Sequence, residues 1–154
     1  MTDSETQAAR ADLPPALICV DDDDRRSAVR KALDQLGYGS ETPADAEEAV
    51  DRLRKVAYQV VVVDQAYNGG TALDNVILKA LNTTPMSVRR YMFVALLAPD
   101  VKTLDNATAF SRSVNAVVHT DDVAQLGPLL RRAVADNDAF YRVFREVLQA
   151  AGKR

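Results

Sequence analysis

The sequence predicts an α/β fold, a parallel sheet covered on both faces by helices, and two observations carry that expectation. Short apolar blocks alternate with amphipathic helical patterns five times along the chain, an order that implies right-handed crossovers between parallel strands. The apolar blocks are also continuous instead of alternating with polar residues, as strands buried on both faces are.

Each element follows from its own residues. Ala16 to Val20 (ALICV) is a short apolar run and reads as the first strand. Arg25 to Leu36 places Ala28, Val29, Ala32, Leu33 and Leu36 on one helical stripe, with Gly37 as its C-terminal stop. Tyr38 to Thr42 is a short strand candidate, and Pro43 to Val56 is a second helix carrying Ala44, Ala46, Ala49, Val50 and Leu53. Tyr58 to Val63 (YQVVVV) is the strongest strand, because four consecutive β-branched residues disfavour helix. It ends in Asp64, and Asn68-Gly69-Gly70 then marks a turn.

Leu73, Val76, Ile77, Ala80 and Leu81 give a third helix. Tyr91 to Ala98 (YMFVALLA) is a buried strand stopped by Pro99-Asp100. Val101 to about Ser113 is a less regular helix, Ala116 to His119 a short strand, and Asp121 onward is helical again. The architecture expected is a flavodoxin-like three-layer sandwich with a five-stranded parallel sheet of order 2-1-3-4-5. Residues 1–13 form a polar tail closed by Pro14-Pro15, residues 14–135 the domain, and residues 136–154 an amphipathic C-terminal helical extension.

Composition narrows the function. At 154 residues, 47% hydrophobic and 27% charged, the chain has the make-up of one globular domain and not of a disordered segment. A net charge of −3 offers no global attraction for nucleic acid or an anionic membrane. No apolar run is long enough to span a bilayer, and MTDSETQAAR lacks the basic and apolar regions of a signal peptide. The single Cys19 lies inside an apolar run and reads as a buried structural thiol. A cytoplasmic, reducing setting is the expectation.

The chemistry is concentrated where LICVDDDD runs from the first strand into four acids, Asp21 to Asp24. Adjacent carboxylates repel unless a cation or a helix end absorbs their charge. In the 2-1-3-4-5 order the ligand crevice lies between the first and third strands, so Asp21 and Asp22 converge there with Asp64. Asp23 and Asp24 read as acids at a helix N-terminus.

VDDDD after the first strand, VVVVD at the end of the third, and five βα units together resemble a response-regulator receiver domain over about residues 15 to 135. The resemblance implies that Asp21, Asp22 and Asp64 form a Mg2+ set, weakly held here, and that Asp64 is the candidate phosphoacceptor. It also marks departures. Leu97 stands where the family has a Thr or Ser at the end of the fourth strand, and Val117 where it has a movable aromatic. His119 or Thr120 stands where it has a Lys. Losing one preorganised donor from a charged transfer site costs about 3–4 kcal/mol, so the loss of both hydroxyl and amine should slow phosphoryl transfer severely. The expectation is a degenerate, pseudo-receiver module.

Other candidates have plainer readings. His119 is the only histidine and has no partner set for zinc. Arg89-Arg90 and Arg131-Arg132 read as solvated faces. Near the C-terminus, Phe140, Val143, Phe144, Val147 and Leu148 recur as a full helical stripe after the domain has already buried its core. Its polar side carries Arg142, Arg145, Glu146, Lys153 and Arg154. The stripe either folds back on its own domain or pairs with a second protomer or a partner protein.

The leading expectation is therefore a stand-alone, non-enzymatic signalling module that acts through a protein partner (a signalling protein or kinase) or as a homodimer. The resemblance places partner contacts on about Val101 to Ala135, extended by the C-terminal stripe. The first alternative is a phosphorylatable single-domain response regulator using Asp64. A remote alternative is a small Mg-dependent phosphatase, with Asp21 and Asp23 in the two acid places of a haloacid dehalogenase-type motif and Arg25 where Thr or Val is expected.

Overall fold

The computed structural model describes residues 12–152. Five strands, β1 (Pro15–Cys19), β2 (Gly39–Glu41), β3 (Val60–Asp64), β4 (Phe93–Ala98) and β5 (Ala116–His119), form one sheet. All neighbours are parallel, in the order β2-β1-β3-β4-β5. The helices are α1 (Asp23–Gln35), α2 (Ala46–Lys55), α3 (Val76–Asn82), α4 (Met86–Arg89), α5 (Asn106–Ser111) and α6 (Leu126–Ala150). The expected sandwich and strand order are both present.

Strand parity divides the core into two layers. Leu17, Cys19, Val61, Val63, Leu96 and Val117 face α2, α3 and α5, whereas Ile18, Val62, Ala95, Leu97 and Val118 face α1 and α6. Register places Cys19 beside Val63, and Asp64 beside Leu97. Asp64 follows Val60 and Val62 on the even face, so its carboxylate is delivered to the side of the sheet that α1 covers.

Local signals set the helix ends. Asp22 caps α1, and Gly37 at φ +87° closes it. The Gly37 and Tyr38 N–H groups donate back to Asp34 and Leu33, a paired closure that uses the left-handed residue only glycine adopts cheaply. Asp45 accepts from the Glu48 N–H while the Glu48 carboxylate accepts from Ala44 N–H, so α2 starts at Ala46 and leaves Pro43 and Ala44 outside.

Three expectations about elements are corrected. The third helix begins at Val76 because the Asn75 side chain caps it, which leaves Leu73 outside and 96% exposed. The helix expected over Val101 to Ser113 shrinks to α5, since Leu104 adopts φ +62° and Asp105 starts the helix by accepting from Ala107 N–H. A single turn, α4, follows Pro85 where no helix was expected.

After a 3-10 segment at Thr120–Gln125, α6 runs unbroken through Asp136 to Asp138, so the division placed at residue 136 falls inside one element. Leu126 and Leu130 anchor its first turns in the core. Further along, Phe140 is 66% and Phe144 49% exposed, beside a groove of about 680 Å³ that they share with Tyr38, Met86 and Tyr91. Residues 1–11 of the expected tail, and Lys153 and Arg154 of the extension, lie outside the described residues. Among the described residues no helix is long and apolar enough to cross a membrane.

Candidate functional site

The carboxyl ends of β1 and β3 meet α1 at one crevice, and each acid there has a defined partner. The Asp21 carboxylate accepts the Asn68 N–H at 2.6 Å, tying the end of β1 to the loop after β3. Asp22 accepts the Arg25 N–H at 3.0 Å. That bond first holds the Asp22 carboxyl below the usual aspartate range, against an opposing desolvation that exceeds the help given by the Arg25 charge. Asp64 is 3% exposed; its Oδ1 accepts the Ala66 N–H at 3.0 Å and its Oδ2 accepts Arg25 Nε at 2.9 Å. Arg25 Nη1 lies 3.5 Å from Asp22 Oδ2, so one guanidinium links Asp22 to Asp64.

Arg26 answers Asp23. Its guanidinium donates to the Val20 and Asp21 carbonyls at 3.4 and 3.1 Å and pairs with Asp23. The like charges of Asp21 to Asp23 are thus relieved by a loop N–H, a helix N-terminus and the two arginines that follow them in sequence.

The loop beyond Asp64 is fixed from below by Asn75, which is 3% exposed. Its Nδ2 donates to the Asp64 and Gln65 carbonyls at 3.2 and 3.0 Å, and its Oδ1 accepts from the Ile77 and Leu78 N–H groups. This side chain draws the backbone close to Gly70. A Cβ there would stand 2.6 Å from the Gln65 carbonyl oxygen, so the turn expected at Asn68-Gly69-Gly70 requires glycine at its last position. At the rim, Arg112 donates to Gln65 Oε1 at 2.7 Å and to Asp100 at 3.0 Å, a bond that holds the Asp100 carboxyl below its ordinary range.

The positions expected to have lost their relay groups occupy apolar or engaged places. Leu97 is fully buried beside Asp64, and Val117 is fully buried on the opposite face of the sheet. His119 Nδ1 accepts the Asp121 N–H, its own N–H donates to Thr103 Oγ1, and Thr120 opens the 3-10 segment. Among the described residues, the hydrogen-bond partners of the Asp64 carboxylate are Arg25 and Ala66, and none of these four. Burial first, and the nearby Asp21 charge second, push the Cys19 thiol up to about 12, which suits a structural cysteine.

Mg2+ requires oxygen ligands converging at about 2.0–2.1 Å in near-octahedral array. Among the described residues no three His, Cys, Asp or Glu side chains are grouped to hold a metal ion. Asp21, Asp22 and Asp64, expected as that set, are turned to Asn68, to the α1 N-terminus and to Arg25. In this arrangement the donors do not fit the ion.

Solved structures share this arrangement of strands and helices. The chemotaxis response regulator CheY4 of Vibrio cholerae matches with a TM-score of 0.58 at 18% identity, over 79% of this chain and 98% of that one. The fold is that of response-regulator receiver domains. A CheY-like receiver domain from Methanospirillum hungatei gives a TM-score of 0.60 at 16% identity, covering 82% of this chain and 98% of that chain. The BeF3-activated DrrB receiver domain gives 0.59 at 18% identity, covering 80% and 98%. No family model and no curated protein matches the sequence. Within the receiver fold, the crevice holding Asp64 lies at the carboxyl edge of the sheet, where α/β folds of this order bind ligands.

Sequence reasoning located the three acids and the buried neighbours of Asp64, but it missed Arg25, Asn75 and Arg112. A signal for Arg25 was available: it stands three residues after the capping Asp22, in the first turn of the helix that borders the crevice.

Proposed function

We propose that the chain is a receiver-like signalling module that acts through protein contacts, without a phosphoryl switch at Asp64. The observation that carries this reading is Leu97, 0% exposed and in register with Asp64, an inert side chain where a phosphoryl group would need a hydroxyl donor. Engagement of both Asp64 oxygens by Arg25 and Ala66 supports it further. Phe140, Val143, Phe144 and Val147 are 49–66% exposed along one helix, an apolar stripe suited to a protein partner or a second protomer.

The test is incubation with acetyl phosphate and Mg2+, read by intact mass and amide NMR, for wild type and Asp64→Asn. No mass gain and no spectral change is expected; a phosphate on Asp64 with widespread shifts overturns the reading. The contact surface is tested by Phe140→Ser/Phe144→Ser in the full chain, which should abolish self-association or partner capture while leaving the unfolding midpoint nearly unchanged.

A second reading, a phosphorylatable regulator, is favoured by one observation. Asp64 ends β3 with Asp21 and Asp22 at the neighbouring strand end. The mass measurement separates the two readings.

A further inference from the structure

The acids of the crevice already have a cation, and it is part of the chain. Arg25 Nε meets Asp64 Oδ2 at 2.9 Å, Nη1 approaches Asp22 Oδ2 at 3.5 Å, and the Arg25 N–H donates to Asp22 Oδ1 at 3.0 Å. Asp64 is buried, while the Arg25 side chain is 29% exposed, so the guanidinium closes the mouth of the crevice between the acid and solvent. A guanidinium is a rigid planar fork of donors, and it contacts a carboxylate edge that an octahedral ion would need as a ligand.

We propose that Arg25 is the resident cation of this crevice, a tethered guanidinium that takes the place of a divalent ion and bars Mg2+ from Asp21, Asp22 and Asp64. α1 supplies the tether. Its N-terminus is fixed by the Asp22 cap, so Arg25 projects from the first turn at a constant height above β3. The side chain needs no diffusional encounter, whereas Mg2+ must shed tightly held water and displace an ion pair already formed. The receiver fold is thereby kept with its charge balanced internally and made indifferent to magnesium.

Cation occupancy is measured without any phosphoryl donor, so its outcome is separate from the fate of Asp64 under acetyl phosphate. The probe is Mn2+, titrated into the full chain and followed by electron paramagnetic resonance of the free ion and by thermal unfolding. Wild type should bind no Mn2+ at roughly millimolar concentration. Arg25→Ala should unfold at a lower temperature, bind Mn2+ at concentrations at least about tenfold below the roughly millimolar level at which wild type binds none, and regain its lost Tm as Mn2+ is added. Arg25→Ala/Asp64→Asn should lose that gained binding.

Mn2+ binding by wild type as tight as by Arg25→Ala overturns the proposal. So does a folded Arg25→Ala that binds none, or a double variant that keeps the binding. If Arg25→Ala is unfolded in the absence of metal, recovery of its circular dichroism on adding Mn2+ supports the proposal, and failure to recover refutes it.

Discussion

Replacing Leu97 by Thr and by Val separates a dry core position from a receptive one. Thr and Val have the same shape, so the difference between them isolates the hydroxyl. Leu97 is fully buried among Ile18, Val62, Val118, Leu126 and Leu130. Leu97→Val removes one buried carbon group, worth about 0.8 kcal/mol with a small cavity penalty added. Leu97→Thr removes a second carbon and buries a hydroxyl. Beside it, each oxygen of Asp64 already accepts one hydrogen bond, from Arg25 or from Ala66, and the guanidinium holds the carboxylate toward α1. An unpartnered buried hydroxyl costs about 1–3 kcal/mol, which places Leu97→Thr about 2–4 kcal/mol below wild type. For a domain of this length each kcal/mol is worth roughly 2–4 °C in Tm, so a fall near 10 °C is expected. Urea unfolding of the three proteins gives the free energies directly. If Thr and Val prove equally stable, the Asp64 carboxylate is free to accept a hydroxyl at this position, and the account of an acid held by Arg25 and Ala66 beside a dry core position is wrong.

Asn75→Ala should cost about 2–4 kcal/mol, because it removes the α3 cap and leaves the Asp64 and Gln65 carbonyls without their donor; a loss under about 0.5 kcal/mol in urea unfolding would refute this. Tyr67→Phe should leave stability unchanged or raise it by up to about 1 kcal/mol, since the buried Tyr67 hydroxyl has no hydrogen-bond partner among the described residues; a clear drop in Tm would show that the hydroxyl is engaged after all. Asp22, Glu48, Asp74 and Asp100 all titrate below the ordinary values of 3.8 and 4.5 for their types, chiefly through hydrogen bonds to Arg25 and Ala44 N–H and to the Lys79 and Arg112 side chains. Depressed folded-state values mean that these acids stabilise the fold fully above about pH 5 and cease to do so as pH falls through the carboxylate range. Urea midpoints should therefore be flat from about pH 6 to 8 and decline below about pH 4, and a rise on acidification would contradict the sign.

The strands were legible because a strand buried on both faces needs no partner to be recognised. β5 has the same bounds in sequence and structure, and β1 and β3 differ by a residue or two at their ends. The errors fall where one side chain outbids a pattern. Leu73 fits the helical period of Ile77 and Ala80, but Asn75 satisfies two α3 N–H groups and starts the helix after it. Leu104 fits an apolar helix, but its left-handed backbone lets its N–H pair with the Val117 carbonyl. The crevice was half legible for a similar reason. A run of acids and a strand-end aspartate are visible in one dimension, while the cation that answers them depends on which way α1 turns over β3. Four aspartates announce a need for positive charge without saying that Arg25 and Arg26, directly next to them, answer Asp22, Asp23 and the sequence-distant Asp64.

The long final helix has a mechanical meaning beyond its apolar stripe. Twenty-five residues make a rod of roughly 37 Å, held over its first part by Leu126, Leu129, Leu130, Ala133 and Val134 against the same layer that α1 covers. A tilt of about 5° where Val134 leaves that layer carries the far tip, about 24 Å on, through roughly 2 Å. Force applied at the tip is multiplied at the foot, where Gly127 lies beside Ala32 and Gln35 in the last turns of α1, the helix whose first turn carries Arg25.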